Sequence, residues 1–146
     1  MDIREVRETD LDAWAALRHA LWPECPLETA REEAGAILAS PDEGAWLLWD
    51  GDDAVGFSEA QVYDGADGPY AHVEGWYVDP AHRGKGLGQE LIGALEQWCL
   101  HRAIQRLTSD TTKDYPLSPA AHSRAGFRVL HRFTIFLKEL PMDPQD

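Results

Sequence analysis

Residues 83 to 88 read Arg-Gly-Lys-Gly-Leu-Gly. A cation followed by alternating glycines can hold a polyphosphate. The run before it, His72 to Val78, is apolar and β-rich apart from Glu74, and it breaks at Asp79-Pro80. The run after it turns helical, with Leu87, Leu91, Ile92, Leu95 and Trp98 at helix spacing. In a strand, glycine loop, helix order the glycines let the backbone approach an anion. The free N–H groups at the helix start then point at it with the positive end of the dipole. A Walker loop is excluded, because Gly88 is followed by Gln89-Glu90 and the magnesium-binding hydroxyl is missing. A dinucleotide fingerprint is excluded too, since Gly84-x-Gly86-x-Gly88 lacks the last glycine and no acid stands at the ribose distance.

The whole chain sets bounds on this reading. Its 146 residues predict one domain, residues 1–146, with 141–146 as a frayed tail. A chain of that size buries roughly two-thirds of its unfolded surface in one core. No apolar run approaches membrane-spanning length, and the charged start MDIREVRETD carries no apolar signal segment. Cys25 and Cys99 have no partner at metal or redox spacing, which suits a reducing cytoplasm. His19, His72, His82, His101 and His131 show no metal spacing, so no metal is expected. Net charge is −13. Residues 40–79 hold ten acids and no Lys or Arg, whereas residues 80–138 hold nine basic residues against four acids. The first block repels nucleic acid and attracts polycations, unless it serves solubility alone; the second can hold a polyphosphate.

The elements that must position the loop follow from periodicity and punctuation. Ile3–Val6 reads as a first strand. Thr9 offers an N-cap to an amphipathic helix through Leu11, Trp14, Leu17, Arg18 and Leu21, ending at Trp22-Pro23. A second helix spans Leu27–Leu38. Ala45–Trp49 and Val55–Val62 flank an Asp-Gly turn and form a hairpin. Tyr63–Tyr70 is a loop by composition. Beyond the central strand, loop and helix, Ile104–Asp110 is a fifth strand, and Ser118 with Pro119 starts a short helix ending at Gly126. Phe127–Arg132 and Thr134–Leu140 read as closing strands.

The pieces Val78-Asp79-Pro80 and Arg83-x-x-Gly86-x-Gly88, in the order βααβββαβαββ, resemble the GCN5-related N-acetyltransferases (GNAT) over nearly the whole chain. The resemblance implies a mixed α/β fold, with helices on both faces of a central sheet splayed between strands 4 and 5. It implies acetyl-CoA as co-substrate, its pantetheine arm pairing with Trp76, Tyr77 and Val78. Its pyrophosphate would lie on the loop Arg83, Gly84, Lys85, Gly86, Leu87 and Gly88. The family's asparagine contact to CoA falls on Tyr115 here, a departure from the pattern. The family's tyrosine four residues before Gly-Phe is His122, read as lining the cofactor and open as the acid for the departing thiolate. Within the family the chain is most similar to the aminoglycoside 6′-N-acetyltransferases: Leu-Trp-Pro ends the first helix, Glu74-Gly75-x-Tyr77-Val78 forms the central strand, Ser109-Asp110-Thr111-Thr112 ends the fifth, and His122-x-x-x-Gly126-Phe127 ends the last helix.

Chemistry gives two carboxylates an independent reason. An acceptor amine is protonated at neutral pH and must lose a proton before it attacks a thioester. Given the implied fold, Glu74 and Asp110 stand near the splayed gap and are the expected catalytic and substrate-binding pair; an ion-paired edge charge and a strand-end cap are their bland alternatives. The resemblance adds Trp22 and a loop residue, Tyr63, as substrate contacts, with Asp64 and Asp67 as further partners for a polyamine sugar. Neither cysteine has the setting of a nucleophile, so direct attack in a ternary complex is expected over an acetyl-enzyme. The expected activity is acetylation of a small polycationic amine, an aminoglycoside at its 6′-amine, by a resistance-type enzyme. Polyamine acetylation and a catalytically silent CoA-binding sensor are the other readings. The resemblance also implies a homodimer.

Overall fold

The computed structural model describes residues 1–112, 114–132 and 134–142. Its strands are β1 (Asp2–Glu5), β2 (Glu43–Asp50), β3 (Asp53–Gly65), β4 (Gly68–Val78) and β5 (Leu107–Thr108). Its helices are α1 (Leu11–Leu21), α2 (Leu27–Ala39), α3 (Leu87–His101) and α4 (Ser118–Arg124), with short 3-10 turns at Glu8–Asp10 and Pro80–His82. The sheet runs β1-β2-β3-β4-β5. The first four strands are antiparallel and β5 lies parallel to β4.

Strand alternation sends each strand's side chains to two faces, and both faces are covered. Trp14 and Leu17 of α1 and Ala34 of α2 pack on Leu47 and Phe57. On the other face Leu91, Ile92 and Leu95 of α3 are buried over Leu48, Ala60 and Val73. Burying each of those α3 side chains contributes about 1.5–3 kcal/mol. Cys99 sits on the same apolar side, as the spacing predicts. The mixed α/β fold with helices on both faces is therefore present, and so is the opening between β4 and β5. Only Ala71–Leu107 and His72–Thr108 pair those two strands.

Three segments differ from the sequence-based expectation. Tyr63–Tyr70 is no loop: β3 and β4 continue to Gly65 and Gly68 around a two-residue turn, and the Tyr63 and Tyr70 rings stack 5.6 Å apart. Stacked aromatics and the left-handed Gly68 (φ 109°) outweigh the turn-rich composition. The fifth strand shrinks from Ile104–Asp110 to two residues, because only those meet β4 before it diverges. The two closing strands do not form. Among the described residues 127–142 there is no strand or helix, and Leu130, Ile135, Phe136, Leu137 and Leu140 are exposed, Phe136 at 91%. A strand needs an edge that receives it in register, and among the described residues no edge pairs with these segments. Phe133 and most of the tail expected to fray, 143–146, lie outside the described residues.

One buried ion pair ties α1 to β3. Glu59 is 1% exposed and Arg18 5%. The Arg18 guanidinium donates to both Glu59 carboxylate oxygens and, at 2.6 Å, to Glu33, while Trp14 Nε1 donates to Glu59 at 2.8 Å. Burial pushes the Glu59 carboxyl up from its ordinary range, against the pull of Arg18 and Trp14. Removing one member strands the other charge in the core. Arg18→Met should thus cost about 3–5 kcal/mol in urea unfolding, with Arg18→Met/Glu59→Gln recovering more than half.

Candidate active site

The parting of β4 from β5 opens a cavity of about 1080 Å3. One wall is β4 from Val73 to Val78; the others come from the glycine loop, from residues 109–112 and 114–117 and from α4. Beyond His72 that edge of β4 pairs with no strand among the described residues, so apart from Val78 O, which accepts from Arg83, its N–H and C=O groups are open to a ligand.

The glycine loop closes one end. Asp79 accepts from Ala81 N–H at 2.9 Å and starts the 3-10 turn; Gly84 (φ 81°) and Gly86 (φ 78°) take left-handed conformations that other residues resist. Gly86 is the N-cap of α3 and has no capping side chain, which leaves the first N–H groups of α3 facing outward. Arg83 Nε donates to Val78 O at 2.7 Å and its guanidinium lies 5.5 Å over the Tyr77 ring. The cation is thereby fixed at the end of β4, with its terminal nitrogens left for an anion. Trp76 supports the loop from the core side, Nε1 donating to Gly88 O at 2.9 Å.

The opposite end is carboxylate-rich. Pairing slips between Glu59–Gly75 and Ala60–Val73, making Glu74 the extra residue of a β-bulge. Below the bulge Ala71 and Val73 face α3; above it Trp76 and Val78 do. That one-residue slip turns Glu74 out of the apolar alternation and into the cavity. Tyr63 Oη donates to Glu74 at 2.5 Å, which pushes the Tyr63 hydroxyl up to about 12, so it remains a donor at any working pH. Asp110, just past β5, lines the same cavity and is 82% exposed; its Oδ2 stands 3.4 Å from His72 Nε2. Trp22 follows the end of α1, with Arg18 4.9 Å over its ring and Phe57 edge-on at 6.1 Å. A Cβ on Gly75 would lie 2.9 Å from Trp22 and 2.7 Å from Phe57, so only glycine there lets the indole rest on β4. Beside it a hollow of about 430 Å3 is lined by Glu33, Glu43, Glu59 and Glu74.

At the third wall His122 is locked. Its Nδ1 lies 2.8 Å from Ser118 O, which assigns that nitrogen the proton and makes Nε2 the acceptor of the Ser109 hydroxyl at 2.7 Å. Trp76 and Phe127 edges hold the ring at 5.1 and 5.2 Å.

Of the residues singled out from sequence, Trp22, Glu74, Trp76, Tyr77, Val78, Arg83, Gly84, Gly86, Leu87, Gly88, Asp110, Tyr115 and His122 all line this cavity. Lys85 does not: it is exposed between two left-handed glycines that turn it outward. Tyr63 sits on β3, not in a loop, and reaches the site only through Glu74. Asp64 is exposed on β3, and Asp67 lies 3.7 Å from Arg106 at the hairpin turn; neither lines the cavity. Ser109 and His72 escaped sequence reading because their partners are 13 and 38 positions away. Neither cysteine lines the cavity, and burial pushes the Cys99 thiol up. No group of three or more His, Cys, Asp or Glu able to hold a metal occurs among the described residues.

Residues 11–127 match the model of the acetyltransferase (GNAT) family. The chain is 36% identical to the aminoglycoside N(6′)-acetyltransferase type 1 of Serratia marcescens, over 90% of this chain and 94% of that one. It is 32% identical to the enzyme of the same description from Stenotrophomonas maltophilia, over 97% and 94%. Among solved structures it superposes on AAC(6′)-Iy in complex with the bisubstrate analogue CoA-S-monomethyl-acetylneamine with a TM-score of 0.84 at 27% identity, covering 95% of this chain and 98% of that one.

The Tyr63–Glu74 bond has a direct optical signature. In an ultraviolet titration Tyr63 should ionise near pH 12. In Glu74→Gln its ionisation should move down toward the ordinary tyrosine value of about 10.

Proposed function

The chain belongs to the acetyltransferase (GNAT) family and, within it, to the aminoglycoside 6′-N-acetyltransferases, and we propose from that premise how its residues divide the work. It transfers acetyl from acetyl-CoA to an aminoglycoside amine. The observation that carries the assignment of roles is the unpaired edge of β4, running from the glycine loop to the two carboxylates.

Acetyl-CoA lies along that edge. The pyrophosphate rests on Arg83, Gly84 and the N–H groups at Gly86–Gly88, and the pantetheine pairs with the backbone of Trp76–Val78. A main-chain N–H near Tyr77–Val78 polarises the thioester carbonyl. The aminoglycoside enters from the acidic end. Trp22 forms its wall, Glu74 holds an ammonium group, and Asp110 takes the proton that must leave before attack. The neighbouring hollow with Glu33 and Glu43 suits the acceptor's other amines. Direct attack in a ternary complex follows from the absence of a cysteine at the cavity among the described residues. His122 lines the cavity with its Nε2 accepting from Ser109, and a thiolate near neutral pH needs little help to leave.

The same reading takes residues 1–146 as one N-acetyltransferase domain, working in the cytoplasm. The free Cys25 and Cys99 support the reducing setting, and no helix of the described residues is long and apolar enough to cross a membrane. It also takes the protein as a homodimer. The exposed apolar residues of the 127–142 segment support that, since water is a poor neighbour for Leu130, Ile135, Phe136 and Leu137 together. Light scattering should report twice 16.3 kDa, and a chain cut after residue 133 should report a monomer.

Steady-state CoA release tests the acceptor. Kanamycin should turn over and its 6′-hydroxyl analogue should not; turnover of spermidine alone would remove the aminoglycoside assignment. Asp110→Asn should lower kcat by about 10²–10⁴ with acetyl-CoA KM little changed, the range for a lost general base.

A further inference from the structure

We infer that His72 is the proton outlet of Asp110. The inference rests on the acetyl-transfer reading above and adds a residue that neither the sequence motifs nor that reading assigned a role.

His72 lies on the last rung joining β4 to β5, one residue before Val73 and the open edge. Ala71 and Val73 pack against α3, so alternation sends the imidazole to the opposite face, that of Trp22 and Tyr77. Its Nδ1 is 2.7 Å from Thr108 Oγ1, and the Thr108 hydroxyl donates its own hydrogen to Ala71 O at 3.3 Å. With that hydrogen assigned to Ala71 O, Thr108 Oγ1 accepts from His72, which puts the ring proton on Nδ1 and leaves Nε2 bare. Nε2 faces Asp110 Oδ2 at 3.4 Å. A bare nitrogen opposite a carboxylate is two lone pairs facing each other, and the pair becomes attractive only with a proton between them. The arrangement is therefore built to take up one proton, and the His72 side chain, 22% exposed, can release it to water.

The transfer balances as follows. An N–H bond of the acceptor ammonium breaks and an O–H bond forms on Asp110. The amine lone pair attacks the acetyl carbon, the C–S bond breaks and the thiolate leaves with its electron pair. The second proton of the attacking nitrogen goes to that thiolate. The Asp110 O–H bond breaks as an N–H bond forms at His72 Nε2, restoring the carboxylate, and the imidazolium gives the proton to water. Each turnover thus releases one proton by this route. The other charged and polar groups facing His72 are Gln61 across from it on β3, Glu74 along β4 in its bond to Tyr63, and Arg106 with Asp67 beside the start of β5. None of these has a bare nitrogen aimed at Asp110.

Two variants separate relay from support. His72→Asn keeps a donor for Thr108 and removes Nε2; His72→Gln can still donate to Asp110 but cannot carry a proton. With acetyl-CoA and kanamycin between pH 6 and 9, kcat should fall by about tenfold in both, a modest share of a general-base effect. Acetyl-CoA KM and the melting temperature should stay near those of the unsubstituted protein, and added imidazole should restore part of kcat in His72→Ala. Full activity in His72→Gln with loss in His72→Asn would make His72 a mere holder of Asp110 and overturn the relay. So would kcat within twofold of the unsubstituted protein for both variants at every pH. Those results leave acetyl transfer standing; no turnover of any acceptor amine by the unsubstituted protein would sink that reading and the relay with it.

Discussion

Two rungs hold β5 to β4, at Ala71–Leu107 and His72–Thr108. A sheet that stops pairing after two residues leaves backbone donors and acceptors with only water or a ligand to satisfy them. Here those groups lie along a cavity between a glycine loop and two carboxylates, so the unmet bonds are aimed at an occupant. An extended thioester arm is the occupant whose own amides match such an edge. The same parting brings Asp110 off the end of β5 into reach of whatever sits beside that arm.

Around this opening the structure is tightly held. Trp76 is bonded to Gly88, Arg83 to Val78 and His122 to Ser109 and Ser118, so each wall is fixed to its neighbour by a named bond. On the far face the Arg18–Glu59 pair anchors α1, and Arg18 in turn stacks on Trp22. A buried ion pair is an expensive way to join a helix to a sheet. Its effect here is to hold one indole over β4 at the wall of the cavity, against a glycine that leaves room for it.

The parts of the site carried by contiguous residues were legible in the sequence. Arg83 to Gly88 stands out as a glycine loop by residue type and spacing alone and Glu74 by interrupting an apolar run, and all of them but Lys85 line the cavity. What could not be read depends on pairing across distance. The bulge that re-aims Glu74 follows from a slip against Glu59 and Ala60, which no local pattern records. Tyr63 looked like a loop residue until Tyr70 was found stacked on it, and His72 looked idle until β5 brought Asp110 beside it. Phe127–Arg132 and Thr134–Leu140 were read as closing strands and do not form, because an apolar run does not by itself specify which edge receives it or in what register.

Hydrogen–deuterium exchange of the full chain, with and without CoA, tests the central claim most directly. If the open β4 edge and the glycine loop receive the cofactor, CoA should slow exchange of the amides at Trp76–Val78 and Gly86–Gly88 while leaving β1 and β2 unchanged. Unaltered exchange at Trp76–Val78 under saturating CoA would contradict the account, because the opening between β4 and β5 would then have no part in binding.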